Sequence, residues 1–287
     1  MDLLILSGEI STISQHPTMV HTLMNVNTIG GLKPEQRRRT GGERARYVQK
    51  IFTRIAKRYN MMNRLMTIGQ DLRWRREVIC RAAPPMHGLL LDLGAGTGDL
   101  AFEALHQFPM CQVIAADFTL DMMKIGLSRG SKFPSHLHRS CLAPLLRTPP
   151  ASLLYWTAAD ALNLPFPNEV FDAVVSGFLL RNLCDIPQAL SEQHRVLKPG
   201  GRLIVLDTTQ PLHSMLNPFI NLYLHTVIPV MGRLLVGEAE AYRYLPDSIE
   251  QFLSAEQLTA RLVGAGFQAI GFRRLNFGTI AIHWGTK

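Results

Sequence analysis

The sequence predicts an α/β fold: a mostly parallel sheet with helices on both faces and a helical cap in front of it. Three observations support this prediction. From residue 88 onwards, apolar runs typical of buried strands alternate with segments of helical periodicity. Residues 44–85 show helical spacing alone. A length of 287 residues is enough for one such domain with an N-terminal extension.

The tail and the cap are predicted from the first 85 residues. Residues 1–43 have no sustained periodicity and are rich in turn formers and charge, which is typical of a flexible basic tail. In residues 44–85, apolar side chains recur at helical spacing, and Pro84 and Pro85 end the last of two or three helices.

The sheet is predicted from the rest of the chain. Strands are expected at residues 88–94, 112–118, 153–160, 170–178 and 201–207, and helices at 97–108, 120–130 and 186–197. Proline and serine predict a loop at residues 131–152, and "KPGG" predicts a turn at residues 198–201. Because strands and helices alternate, neighbouring strands are expected to be parallel.

The charge distribution indicates which classes of partner the protein could bind, and the cysteine content indicates its cellular compartment. Residues 33–58 carry ten basic and two acidic side chains, and the difference of +8 equals the net charge of the whole chain. Such a patch suits nucleic acid, an anionic membrane or plain solvent, but no aromatic residue interrupts "RRRTGGERAR" to stack on bases. Four widely separated cysteines predict reduced thiols in the cytoplasm and no metal site.

The most informative stretch is "LDLGAGTGD", which follows the first strand-like run. Its glycines, Gly94, Gly96 and Gly98, have the spacing G-x-G-x-G, whereas a dinucleotide fingerprint needs its third glycine where Asp99 stands. Asp92 would repel a pyrophosphate but suits a ligand with a cationic end. S-adenosylmethionine carries a sulfonium and an ammonium and no phosphate. The turn is therefore predicted to bind this cofactor.

Two further strand ends support the same ligand, because ligands on open α/β sheets bind at the carboxyl ends of the strands. Asp117 ends the second strand and is placed to accept hydrogen bonds from the ribose hydroxyls. The alternative is an Asp that caps a helix. Asp160 and Ala161 follow the third strand and are placed to meet the adenine edge.

Together with "ADALNLPFP" and "HRVLKPGGRLIVLD", these motifs resemble the class I methyltransferases. "YNMMNRLMTIG", "LRN" and "AYRYLPDSI" are more specific, and they resemble the ubiquinone/menaquinone biosynthesis C-methyltransferase family over roughly residues 48–287. The resemblance implies a Rossmann-like, seven-stranded, mostly parallel sheet with an antiparallel last strand. It also implies a division of the methyltransferase domain, 44–287, into a helical cap (44–85), a cofactor-binding core (86–210), a substrate cap (211–250) and a C-terminal helix with strands (251–287).

The resemblance implies transfer of a methyl group from S-adenosylmethionine to a ring carbon of a prenylated quinol. The resemblance implies cofactor contacts from Thr97, Asp117, Asp160, Ala161 and Ser176, in addition to Asp92, Gly94, Gly96 and Gly98, which the turn itself predicts. Residues 176–182, "SGFLLRN", are one longer than the usual "SFGLRN", so the alignment of Ser176 and Gly177 stays open. The insert at 131–152 also exceeds the expected length.

The catalytic residues implied by the resemblance are Arg181, which would stabilise phenolate charge, and Asn182, which would orient the ring or a water. The alternative is that both cap the next helix. Tyr59, Tyr242 and Tyr244 are expected to line the acceptor pocket, with a place in the core as the alternative. The acceptor is either a demethylmenaquinol or a ubiquinone precursor.

Partners and rival functions complete the predictions. The apolar residues 217–237 contain polar side chains that argue against a membrane span, so amphipathic helices able to touch a membrane are expected, with plain core as the alternative. A peripheral location at the inner face of the membrane and a homodimer are further hypotheses. Nucleic acid is not expected, because the fourth strand lacks an Asn/Asp-Pro-Pro-aromatic motif. Another phenol or sterol methyltransferase, or a non-catalytic cofactor-binding partner, are the rival functions.

Overall fold

A single mixed sheet forms the centre of the molecule. The computed structural model describes residues 11–12, 41–130, 153–210, 222–236, 248–249 and 252–287. Its strands are β1 (Ser11–Thr12), β2 (Leu89–Leu93), β3 (Gln112–Asp117), β4 (Leu154–Ala158), β5 (Phe171–Gly177), β6 (Leu197–Thr208), β7 (Gln268–Leu275) and β8 (Ile280–Thr286). They lie in the order β1-β7-β8-β6-β5-β2-β3-β4.

The strand directions agree with the predicted sheet. Strands β4, β3, β2, β5 and β6 are parallel neighbours, and β8 runs antiparallel to both β6 and β7. Apart from the two-residue β1, which pairs with β7, this is a mostly parallel sheet of seven strands with an antiparallel last strand. The order of the strands reverses between β2 and β5, which is where open α/β sheets bind their ligands.

Helices cover the sheet and build the cap. They are α1 (Gly41–Ile55), α2 (Tyr59–Thr67), α3 (Asp71–Ala82), α4 (Asp99–Gln107), α5 (Leu120–Gly130), α6 (Ile186–Val196), α7 (Ile228–Val236) and α8 (Ala255–Gly264). Short 3₁₀ turns span Ala56–Arg58, Leu180–Asn182 and Asn276–Gly278, and a π-helical turn spans Tyr223–Val227. The three cap helices end before the proline pair, as predicted, and Ala83 terminates α3 in a left-handed conformation.

Three segments differ from their predictions or lie beyond the description. The "KPGG" stretch lies inside β6: Leu197 pairs with Phe171 and Arg202 with Ala173, so the predicted turn is a bulge within the strand. Helix α1 begins at Gly41, and two residues of the predicted tail form β1. The predicted loop at 131–152 lies outside the described residues.

The core has two layers, one on each face of the sheet. On one face, α3 and α4 bury side chains such as Val78 and Ala101 against the strands. On the other face, α6 and α8 contribute Leu190 and Leu258. Both faces of the sheet are thereby covered, which explains why its central strands are apolar at consecutive positions.

A separate small core joins the cap helices to the helical segment between β6 and β7. Ile51 of α1 and Met62 of α2 pack with Ile228 of α7. The Tyr223 hydroxyl donates a hydrogen bond to the Met66 carbonyl oxygen at 2.8 Å. Within the described ranges, no helix is long and apolar enough to cross a bilayer. Helix α7 buries Ile228 and half-exposes Val230, and the predicted amphipathic character of residues 217–237 stays a prediction.

Candidate functional site

A cavity of about 370 Å³ lies at the carboxyl ends of the parallel strands. Its walls come from the turns after β2, β3, β4 and β5, and α1 forms the opposite side. The predicted residues Asp92, Gly94, Gly96, Thr97, Asp117, Asp160, Ala161, Asn182 and Tyr59 all line it. The fold therefore brings together side chains from positions more than 120 residues apart in the chain.

The glycine turn has a backbone that other residues cannot adopt without strain. Gly94 and Gly96 have φ values of +73° and +56°, and a Cβ at Gly94 would lie 2.9 Å from Leu179 Cδ1. Gly98 has a φ of +82°, but its absent Cβ makes room for Trp156 Cη2, 2.6 Å away, and Gly98 does not line the cavity. The first two glycines shape the wall, and Gly98 permits the packing behind it.

Asp117 connects the turn to the second strand end. Its carboxylate accepts hydrogen bonds from the backbone N–H of Gly96 at 2.7 Å and of Thr119 at 2.6 Å. Burial raises the pKa of the Asp117 carboxyl, and these hydrogen bonds oppose the shift. A carboxylate has about four lone-pair sites, so its capping role leaves acceptors for a ligand.

Asp92 is a buried acid on the cavity wall. The side chain is 1% exposed, and its Oδ2 accepts a hydrogen bond from the Ala101 N–H at 3.0 Å. Its Oδ1 has no hydrogen-bond partner among the described residues. Burial raises the pKa of Asp92 to about 8, and the nearby carboxylates of Asp117 and Asp99 add to the shift. A cation in the cavity would compensate this buried acid.

A polar network that the sequence reasoning missed joins the cap to the glycine turn. Asp99, at the start of α4, forms ion pairs with Arg75 of α3 at 3.1 Å and with Arg129 of α5 at 2.8 Å. Arg129 also donates a hydrogen bond to the Thr97 carbonyl oxygen at 2.8 Å, and Thr97 Oγ1 lies 2.9 Å from the Asn60 amide. The one sequence signal for this cluster was Asp99, an acid in the first turn of a predicted helix.

The third strand end has a simpler arrangement. Asp160 and Ala161 lie on the cavity wall, and Asp160 Oδ1 accepts a hydrogen bond from the Leu162 N–H at 2.9 Å. The Asp160 side chain is exposed, whereas Ala161 is buried. The two residues therefore present one carboxylate and adjacent backbone to the cavity.

Ser176 does not reach the cavity. It is fully buried in β5, and its Oγ has no hydrogen-bond partner among the described residues, whereas the next residue, Gly177, lines the wall. The shift by one residue, from Ser176 to Gly177, agrees with the one extra residue in "SGFLLRN".

The "LRN" residues form a 3₁₀ turn with two different environments. Arg181 is 8% exposed and lies off the cavity wall; its Nη1 pairs with Asp207 Oδ1 at 2.7 Å. Asn182 lines the cavity and donates a hydrogen bond from Nδ2 to the Phe178 carbonyl oxygen at 2.9 Å. Neither residue caps α6, because Asp185 accepts the hydrogen bond from its first turn. The helix-capping alternative is therefore wrong.

The predicted tyrosines have different outcomes. Tyr59 lines the cavity and also packs against the Phe52 ring, with the ring centroids 5.8 Å apart. It therefore belongs to both the wall and the small cap core. Tyr242 and Tyr244 lie outside the described residues, so their predicted role stays a prediction.

The sheet order and the cavity at its switch point define the class I methyltransferase fold. A possible histamine N-methyltransferase from Thermotoga maritima is similar, with a TM-score of 0.53 and 19% identity over 83% of this chain and 98% of that chain. Phosphoethanolamine N-methyltransferase 2 from Haemonchus contortus, solved with S-adenosyl-L-methionine, gives a TM-score of 0.52 and 16% identity over 75% of this chain and 52% of that chain.

Sequence relatives are more specific. A ubiquinone/menaquinone biosynthesis C-methyltransferase from Desulfotalea psychrophila is 40% identical over 84% of this chain and 90% of the relative. A demethylmenaquinone methyltransferase from Thermus thermophilus is 38% identical over 83% of this chain and 100% of the relative. The chain belongs to the ubiE/COQ5 methyltransferase family, whose model matches residues 39–287. It is an S-adenosylmethionine-dependent methyltransferase, as the resemblance predicted.

Proposed function

We propose that the protein methylates a ring carbon of a prenylated quinol in menaquinone or ubiquinone biosynthesis. The observation that carries this proposal is the apolar side of the cavity. Val48 and Phe52 of α1 face the same space as Phe178, Leu179 and Leu183, which follow β5. An apolar wall with few polar groups suits a flat, weakly polar ring with a hydrocarbon tail. The names of the sequence relatives support the same substrate class.

The opposite side of the cavity fits the cofactor. In this proposal, Asp117, Asp160 and Ala161 hold the adenosine part, and the turn from Gly94 to Thr97 holds the methionine part. The absent Cβ atoms at the first two glycines and the orphaned buried Oδ1 of Asp92 fit a ligand that approaches the backbone closely and carries positive charge. The bound cofactor supplies an electrophilic methyl group on a sulfonium.

The protein's own task is to align the acceptor ring and to help a ring hydroxyl lose its proton. Asn182 is the polar side chain of the "LRN" turn on the cavity wall, so we assign it the contact with a ring oxygen or with a water that takes the proton. The Arg181 guanidinium is paired with Asp207 behind the wall. We therefore assign Arg181 a positioning role, through the 3₁₀ turn that presents Asn182.

Two hypotheses on partners remain part of the proposal. A substrate with an isoprenoid tail resides in a bilayer, so the enzyme has to meet a membrane surface peripherally. A homodimer stays a prediction, which sedimentation of the purified protein tests directly.

Purified protein, a methyl-labelled S-adenosylmethionine and a reduced demethylmenaquinone test the function. The expected product is the menaquinol one methyl heavier, with the label on a ring carbon. Deleting the gene should make the quinone that is one methyl lighter accumulate. Label on oxygen, or no lighter quinone in the deletion strain, would contradict the proposal. Asp117→Ala should weaken cofactor binding, and Asn182→Ala should lower kcat with cofactor binding retained.

A further inference from the structure

The tip of the helical cap carries a group of exposed aliphatic side chains. Met61 and Leu65 lie one turn apart on α2, Ile68 follows in the connection, and Leu72 lies in the first turn of α3. Their exposed fractions are 44%, 44%, 86% and 39%. We call these four residues the cap tip. Next to it, the segment that packs on α2 exposes Leu222 and Val230 as well.

Ile68 is the most informative residue of the cap tip. Its φ of 53° and ψ of 38° place a β-branched side chain in the left-handed region, which such residues rarely adopt. The side chain gains little packing in return, because it is 86% exposed. The left-handed conformation ends α2, where the Ile68 N–H caps the carbonyl oxygens of Arg64 and Leu65, and this turn holds an aliphatic side chain out in solvent.

The charges around the cap tip have one sign. From residue 44 to residue 76 the chain carries ten basic side chains and one acidic side chain, Asp71. Asp71 is 1% exposed and pairs with Arg75 at 2.6 Å, so it adds no negative charge to the surface. Arg64 and Arg73 are exposed beside the aliphatic residues. Arg75 is buried, so nine of the ten basic side chains and no acid of this segment are at least partly exposed, and the cap tip lies beside positive charge.

We propose that the cap tip docks on an anionic lipid surface, with its aliphatic side chains in the acyl boundary and the arginines at the headgroups. This combination of apolar residues and cations is what interfacial membrane anchors use. A second copy of the chain is a poorer partner, because a two-fold contact would bring the basic surface against itself. Nucleic acid would use the cations but leave the aliphatic side chains in water. The docking rests on the peripheral membrane contact of the proposed function and names the surface that would make it, but it does not depend on the methylation itself.

The test compares two double variants in vesicle sedimentation. Leu65→Gln with Ile68→Asn removes two aliphatic side chains of the cap tip, and asparagine suits the left-handed backbone at residue 68. Val263→Gln with Phe277→Asn is the matched control, since both residues are exposed and Phe277 is also left-handed, with a φ of 55°. Vesicles of phosphatidylcholine with phosphatidylglycerol are compared with phosphatidylcholine alone.

Wild-type protein and the control variant should bind the anionic vesicles, and added salt should weaken binding. The cap-tip variant should bind at least tenfold more weakly, because each large aliphatic side chain withdrawn from water contributes roughly tenfold. Its thermal stability should equal or exceed that of the wild type, which separates docking from a structural role. Its activity with a short-tailed, water-soluble quinol should be unchanged.

Three results would overturn the docking proposal. The first is equal vesicle binding by the wild type and the cap-tip variant, or no binding by either. The second is binding to an oligonucleotide but not to vesicles. The third is a dimer in sedimentation that dissociates in the cap-tip variant. Because vesicles are used without quinone, none of these results bears on the proposed methylation, and failure of methylation would leave the docking result intact.

Discussion

Binding of a cationic ligand in the cavity should expel a proton from Asp92. The carboxyl is buried and accepts one hydrogen bond, and its pKa is raised to about 8. At pH 7, a group with this pKa is about 90% protonated in the free protein. A sulfonium and an ammonium nearby favour the charged carboxylate, so binding of S-adenosylmethionine at pH 7 should release close to one proton.

The sign of the pH dependence follows from the same linkage. Below the raised pKa, the ligand must displace a proton, so its affinity should rise by about tenfold per pH unit and level off above about pH 8. Calorimetric titration in two buffers with different heats of ionisation counts the released protons directly. In Asp92→Asn, the proton release should vanish and the affinity at pH 8 should fall.

Asp160→Asn provides the control for this experiment. Asp160 lies on the same cavity wall, but its side chain is exposed. Its replacement should weaken binding with proton release unchanged. If wild-type binding releases no proton, or if the affinity is constant between about pH 6 and pH 8, the buried acid does not respond to the ligand and the reasoning is refuted.

Three other predictions concern stability. Arg181→Ala should destabilise the fold by about 3–5 kcal/mol, because it leaves Asp207 buried and unpaired; a double-mutant cycle by chemical denaturation that shows additive effects would contradict this. Burial lowers the pKa of His283 to about 4 from 6.5, so the stability it contributes is present above pH 6.5 and is lost as pH falls towards 4, by roughly 3 kcal/mol, and His283→Phe should remove that pH dependence. Gly98→Ala should lower the Tm, because its φ is +82° and Trp156 lies 2.6 Å from the added Cβ; an unchanged Tm would refute the packing role.

Most strands and helices could be predicted from the sequence because the signals for them are local. Apolar runs, helical periodicity and turn residues lie within ten or fifteen residues of one another, so the parallel strands and helices from β2 to α6 were predicted nearly to the residue. The sequence predicted a turn at "KPGG" and not a bulge, because the conformation of this stretch depends on how β6 pairs with β5. Its glycines favour a turn locally, and only the neighbouring strand decides that the ladder continues past them.

In the candidate site, too, the sequence predicted the features that depend on neighbouring residues and missed those that depend on the packing of distant ones. The glycine turn and the three acidic strand ends were recognisable because their backbone and charge requirements are written in consecutive residues. Gly98 and Ser176 do not line the cavity: Gly98 packs against Trp156, and Ser176 is fully buried in β5 next to the wall residue Gly177, so their contacts with the cofactor stay predictions. Which side of a strand or turn faces a ligand depends on register, and register is a property of the assembled sheet.

By itself, the sequence determined the class of fold, the cofactor and the family of this methyltransferase, because each depends on residue types at short spacing. Only the tertiary structure decided where the residues of the site lie. It paired Arg181 with Asp207 of β6, left Asn182 on the cavity wall and joined Arg75, Asp99 and Arg129 into one network. These outcomes depend on distances between residues far apart in the chain, and such distances exist only once the chain has folded.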